Sequence, residues 1–172
     1  GQADPANQGL NYRFDQGSVA NIVGPNGAGK TTFALTMAGL LETVSGQVIA
    51  GSDLRDSDLP ADPNDWESKQ LLGRIAMVFQ EPAYQFLTFS VREELTLGLK
   101  LKDPQGDHSA EVDRYLEMLH LSHLAEANPF TLSGGEKRRL SVATAMINKP
   151  KVLLLDEPTF GQDRNTWIGL VT

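Results

Sequence analysis

The stretch GPNGAGKTT, from Gly24 to Thr32, restricts what this chain can fold into more than any other feature. It matches the spacing G-x-x-x-x-G-K-[ST], which works only between a strand and a helix. Val19-Ala20-Asn21-Ile22-Val23 before it reads as a short strand, and Phe33, Leu35, Met37, Ala38 and Leu40 after it read as an apolar helix ending near Gly39 to Leu41. Glycines let a backbone wrap closely round phosphates with its amides turned inward. Gly24, Pro25, Asn26, Gly27, Ala28 and Gly29 would form that cradle. Lys30 would bring a compact charge to the β and γ phosphates. Thr31 offers a hydroxyl to Mg²⁺, and Thr32 can donate to an inner phosphate. The motif implies a bound nucleoside triphosphate.

A second glycine turn lies in TLSGGEKRRLSV, Thr131 to Val142. Ser133, Gly134, Gly135 and Glu136 open into a helical pattern continued by Leu140, Ala143 and Ile147, and amides at such a point suit an anion. The neighbouring Lys137-Arg138-Arg139 reads as a solvated helix face. Further on, KVLLLDEPT places Asp156 and Glu157 just after an apolar run, Val152 to Leu155, that resembles a strand buried on both faces of a parallel sheet. Ligands of open α/β sheets bind at that edge. Asp156 would hold Mg²⁺, and Glu157 could polarise a water in line with the γ-phosphate. Gln80, after the strand Ile75 to Phe79, could reach both metal and water, although a lone Gln there is more commonly a polar loop residue.

Gly46 to Ala50 reads as another strand, and SDLRDSDLPADPNDWE as a solvated loop whose acids do not fit calcium-loop spacing. From Val91 to Leu124 the pattern is helical, with Val112, Tyr115, Leu116 and Leu119 on one face. Strands alternating with helices predict an α/β chain with a mostly helical insert between Gln80 and Leu132. The 172 residues suffice for one domain with a core. No cysteine is present, which excludes disulfides and thiolate chemistry. The formal net charge of −7 argues against nucleic acid as a partner. No apolar stretch approaches the ~20 residues that span a bilayer, and GQADPANQGLNYRFDQG does not read as a signal peptide. His120 and His123 are one helical turn apart but have no nearby carboxylate at ligand spacing, and with His108 they read as surface or core residues.

In this order these features resemble the nucleotide-binding domain of ABC ATPases. GPNGAGKTT is similar to Walker A, Gln80 to the Q-loop glutamine, LSGGE (Leu132 to Glu136) to the ABC signature, VLLLDEP to Walker B, and TFGQD (Thr159 to Asp163) to the D-loop. The resemblance implies a P-loop NTPase fold, a mostly parallel sheet flanked by helices, with an inserted ABC α-helical subdomain. The RecA-like core would take about residues 1–80 and 145–172 and the helical subdomain about 85–144. It implies MgATP hydrolysis with Glu157, Gln80 and Lys30 as catalytic residues, and Thr31, Gln80 and Asp156 about the metal. It also implies a head-to-tail dimer in which Ser133 and Gly135 meet the partner's γ-phosphate and Asp163 lies along the interface.

The finer resemblance, carried by VFQEPAYQFLTFSVREEL and TFGQD, is to importer ATPases of the energy-coupling factor type, which feed vitamin or transition-metal uptake. It implies a cytoplasmic protein, peripheral on the inner membrane face. The stretch from Gln80 to Glu94 would receive a transmembrane subunit, and Phe86, Leu87 and Phe89 either line that groove or pack the insert. The alternative is a soluble ABC ATPase of DNA repair or translation, against which stand the lack of sustained heptads before the signature and of a basic insertion. Two family features are expected to fall outside the chain, which reads as trimmed at both ends. One is a histidine beyond Walker B. The other is an adenine-stacking aromatic upstream of Walker A, for which Tyr12 is a poor candidate.

Overall fold

The computed structural model describes residues 9–156, which divide between two compact units, one up to Trp66 and one from Glu67 onward. In the first, α1 (Lys30–Met37) follows the glycine loop directly. It stops where the sequence predicts. Gly39 takes φ 71°, its amide bonds to Thr36 O at 3.1 Å, and the Leu40 amide reaches Leu35 O at 2.9 Å. This pair of bonds is the glycine-terminated helix end that only a residue tolerant of positive φ allows. A side chain there would also strike Pro63, whose carbonyl oxygen would lie 2.7 Å from an added Cβ.

The acidic, proline-rich segment that follows is a loop, as expected, but an anchored one. Leu59, Pro63 and Trp66 are buried. The Arg55 side chain donates to Ala50 O at 3.1 Å and Leu59 O at 2.8 Å, and Trp66 Nε1 donates to Pro60 O at 2.9 Å. Asp62 caps the turn Pro63–Asp65 by accepting from the Asn64 amide at 3.0 Å.

Two expected strands are absent among the described residues. Residues 19–23 and 46–50 enter no ladder, and Val19 and Val23 are 100% and 80% exposed. A β-rich run supplies a surface that fits a sheet, but a strand exists only through its pairing.

In the second unit, one-turn α2 (Ser68–Leu71) leads to β1 (Ile75–Val78). The helices α3 (Val91–Lys102), α4 (Ser109–Met118) and α5 (Gly134–Met146) follow, and β2 (Val152–Leu155) returns parallel to β1 with Ile75 opposite Val152 and Val78 opposite Leu155. Parallel strands require such a long crossover, here supplied by the helices. The expected helix from Val91 to Leu124 is broken at residues 103–108, where Pro104 removes an amide donor and Asp103 leaves helical backbone.

β2 is half-buried along its length, not buried on both faces. Leu153 and Leu155 pack on the core while the alternate residues turn away, and among the described residues its only ladder neighbour is β1. The core itself combines Val78, Leu95, Leu116, Leu119, Leu121, Leu140, Val142 and Ile147. The predicted α4 face is inside, with Leu116 at 1% exposure. Leu116→Ala should therefore cost about 3 kcal/mol in urea unfolding. A loss under about 1 kcal/mol would show that α4 is peripheral to this core.

Candidate nucleotide site

The glycine loop is held by its backbone. Gly27 and Gly29 take φ 80° and 84°, which residues with a Cβ rarely adopt, and the Ala28 amide closes a turn on Pro25 O at 3.2 Å. Gly29 is the N-cap of α1, so the loop ends at the positive end of a helix. Lys30 folds back over the loop, its Nζ donating to Gly24 O and Pro25 O at 3.0 Å each. Residues 24–28 are exposed, and so is Thr31 in the first turn. The arrangement can hold a polyanion between backbone donors, a helix end and an ammonium.

In the second unit, Gln80 and Asp156 follow β1 and β2 at the C-terminal edge of the parallel pair. The Asp156 amide makes a ladder bond to Val78 O at 3.0 Å. Gln80 is exposed, whereas Asp156 is 7% exposed. Glu157 and Asp163 lie outside the described residues.

Arg138 joins this edge, against the solvated-face expectation. Its side chain is 3% exposed and donates to Phe79 O at 2.5 Å and to Asp156 O at 3.2 Å, with Gln80 O at 3.5 Å. Burial pulls the guanidinium below its ordinary pKa, and the Asp156 charge opposes that shift. The signal was present in the sequence. Arg138 stands three and four residues before the buried Ser141 and Val142, so the helical period turns it inward.

Ser133 caps α5. Its amide and hydroxyl donate to Glu136 Oε2 at 2.8 and 2.6 Å, and its oxygen accepts from the Glu136 amide at 3.4 Å. This is a reciprocal capping box. The hydroxyl bond, then the amide bond, hold the Glu136 carboxyl below its usual range. Gly134 and Gly135 lie in the same first turn, whose amides have no partner within the helical ladder. The exposed end of α5 is thus fitted for negative charge, at present that of Glu136.

In the stretch after Gln80 the two alternatives for Phe86, Leu87 and Phe89 divide between the residues. Phe86 is core, 5% exposed and edge-on to Phe130 at 6.1 Å, so it cannot line a surface groove. Leu87 and Phe89 are 77% and 84% exposed. Beneath them the buried Glu94 carboxylate accepts from the amides of Leu87 and Thr88 at 3.0 and 2.9 Å and from the Thr88 hydroxyl at 2.7 Å. Tyr12 is exposed, with its ring 4.8 Å from that of Phe14.

Comparison with known proteins identifies the family. The model of the ABC transporter family matches residues 7–160. The chain is 40% identical over 157 residues to the putative HMP/thiamine import ATP-binding protein YkoD of Bacillus subtilis, covering 91% of this chain and 27% of that protein. It is 33% identical over 168 residues to the energy-coupling factor transporter ATP-binding protein EcfA of Methanothermobacter thermautotrophicus, covering 97% and 52%. Thus the chain spans about a quarter to a half of the length of these relatives. Among solved structures it resembles the ATP-binding cassette MJ0796 in a dimeric post-hydrolysis state bound to ADP and Pi, with TM-score 0.75, 26% identity and coverage of 96% of this chain and 71% of the other. It also resembles cbiO1 from Clostridium perfringens, part of the ABC transporter complex cbiONQ, with TM-score 0.57, 29% identity and coverage of 86% and 56%. The α/β P-loop NTPase fold is that of these cassettes, and with a family model matched over most of its length, the chain belongs to the ABC transporter family.

Proposed function

We propose that this chain is the ATP-binding part of an importer, which binds and hydrolyses MgATP in a head-to-tail pair with a second such domain. The observation that carries the reading is the presence of two helix ends fitted for phosphate. One is the glycine loop with Lys30 folded over it, and the other is the capped, exposed start of α5. A single nucleotide needs only the first. Two such ends in one chain make sense when each nucleotide is held by one chain's loop and the other chain's Ser133 and Gly135.

Lys30 would neutralise the β and γ phosphates, and Glu157 and Gln80 would orient the attacking water. Asp163 would lie along the pairing surface. Thr31, Gln80 and Asp156 each offer oxygen, the donor type that Mg²⁺ takes, and are the residues that would hold it. When bound, the ion would neutralise charge developing on the phosphates. The name of one relative, an HMP/thiamine import ATP-binding protein, supports uptake of a small solute of the vitamin kind, and a transition-metal ion is the other cargo that the sequence resemblance implies. No helix among the described residues is long and apolar enough to cross a membrane. A transmembrane subunit would supply that span and seat on the stretch from Gln80 to Glu94, where Leu87 and Phe89 are exposed. The protein would then work from the cytoplasmic face.

Light scattering tests the pairing. The Glu157→Gln variant should double its molar mass on adding MgATP, because binding persists while turnover stops. An unchanged mass at saturating MgATP, for this chain and for a version extended at both ends, would refute the head-to-tail reading.

A further inference from the structure

A buried guanidinium is an expensive way to fill a core, since an apolar side chain of similar volume commonly serves as well or better. Arg138 is nonetheless 3% exposed. Its location suggests what it is for. Among the described residues, the last ladder bond between β1 and β2 runs from the Asp156 amide to Val78 O. Just past β1 and β2 the two strands lead into Gln80 and Asp156. Across that point Arg138 donates Nη1 to Phe79 O and Nη2 to Asp156 O, with Gln80 O at 3.5 Å. A planar fork of donors can span two strand ends, which a lysine ammonium on its flexible stem cannot do with fixed direction. A second tie lies one turn along α5, where Gln85 Nε2 donates to Ser141 O at 2.7 Å and Thr144 Oγ1 at 2.8 Å. The segment from Phe79 to Gln85 is therefore fastened to α5 at both ends, and α5 is capped by Ser133.

We propose that Arg138 is a positioning residue whose guanidinium bridges the C-terminal ends of β1 and β2 and fixes Gln80 and Asp156 relative to each other and to the start of α5. It touches no reacting atom. Its effect passes through the backbone of the residues that do. The kinetic part of the proposal rests on the hydrolysis reading above, but the structural part does not.

The test uses Arg138→Lys and Arg138→Gln in the full chain, with amide exchange and steady-state kinetics measured side by side. Exchange at Gln80 and Asp156 should quicken about tenfold while the α4 amides near Leu116 stay protected. The kcat for MgATP should fall on the order of 10²-fold, as expected for misplaced reacting groups. KM should stay within about threefold, because nucleotide binding rests on the glycine loop. Lysine should not rescue, since the bridge needs the fork and not the charge alone. Edge exchange that is unchanged, or that rises only in step with exchange in α4, would overturn the proposal, as would full kcat in Arg138→Lys. If the unsubstituted protein hydrolyses no ATP, the hydrolysis reading fails, and the exchange result alone then supports or overturns the bridge.

Discussion

Lys30→Ala should abolish measurable MgATP binding while leaving the fold in place. The ammonium is ordered before any ligand arrives, because its two bonds to Gly24 O and Pro25 O hold it across the loop. A phosphate would meet a charge already in position. Charge-assisted hydrogen bonds contribute about 1.5–3 kcal/mol each, so losing two from a nucleotide weakens binding on the order of 10³-fold. The folded chain without nucleotide should lose little, because both bonds lie at an exposed loop whose carbonyls can turn to water. Calorimetric titration decides the matter. Retained micromolar affinity would remove Lys30 from the phosphate site, and a collapse in thermal stability would mean that the residue is structural.

Ser133→Arg should leave nucleotide binding by a single chain nearly intact and block ATP-driven pairing. The substitution removes the capping oxygen, at about 1 kcal/mol. It also sets a cation at the positive end of α5, which is unfavourable by about 0.3–1 kcal/mol. A core built on Leu116, Leu140 and Val142 should tolerate both losses. The bulk of arginine would stand on the exposed turn where a partner's phosphate would approach. Molar mass with MgATP reads the pairing, and titration of the single chain reads the binding. Loss of binding in the single chain would mean that the start of α5 serves the nucleotide of its own chain. The capping box gives this turn a pH dependence of known sign. Because Glu136 ionises below the usual carboxylate range, its contribution is complete above that range and disappears as pH falls through the lowered value.

What could be read from the sequence was local. The glycine loop, the end of α1 at Gly39 and the buried α4 face follow from φ preferences and from a helical period, both written within a few residues. The two strands that pair, Ile75–Val78 and Val152–Leu155, are short apolar runs beside turn residues, and they formed as expected apart from the depth of burial of β2. Residues 19–23 and 46–50 have the same look but enter no ladder among the described residues, because pairing is a property of two segments and a run shows only one. Arg138 departs from the solvated-face expectation for a similar reason. Charge type predicts solvent, and only the carbonyls at the ends of β1 and β2, far away in sequence, make an interior position tolerable. Phe86 belonged with Leu87 and Phe89 by proximity, yet the turn Pro82–Gln85 directs it inward towards Phe130.

The Glu94 carboxylate beneath residues 87 and 88 has a consequence for how this surface can change over time. The path of the loop is set from below by one oxygen that takes three donors. The outward side chains of Leu87 and Phe89 contribute little to that path. If a transmembrane subunit seats here as proposed, a lineage could exchange them for others and so fit a new partner without redesigning the support. The mounting and the face it presents are free to evolve at different rates.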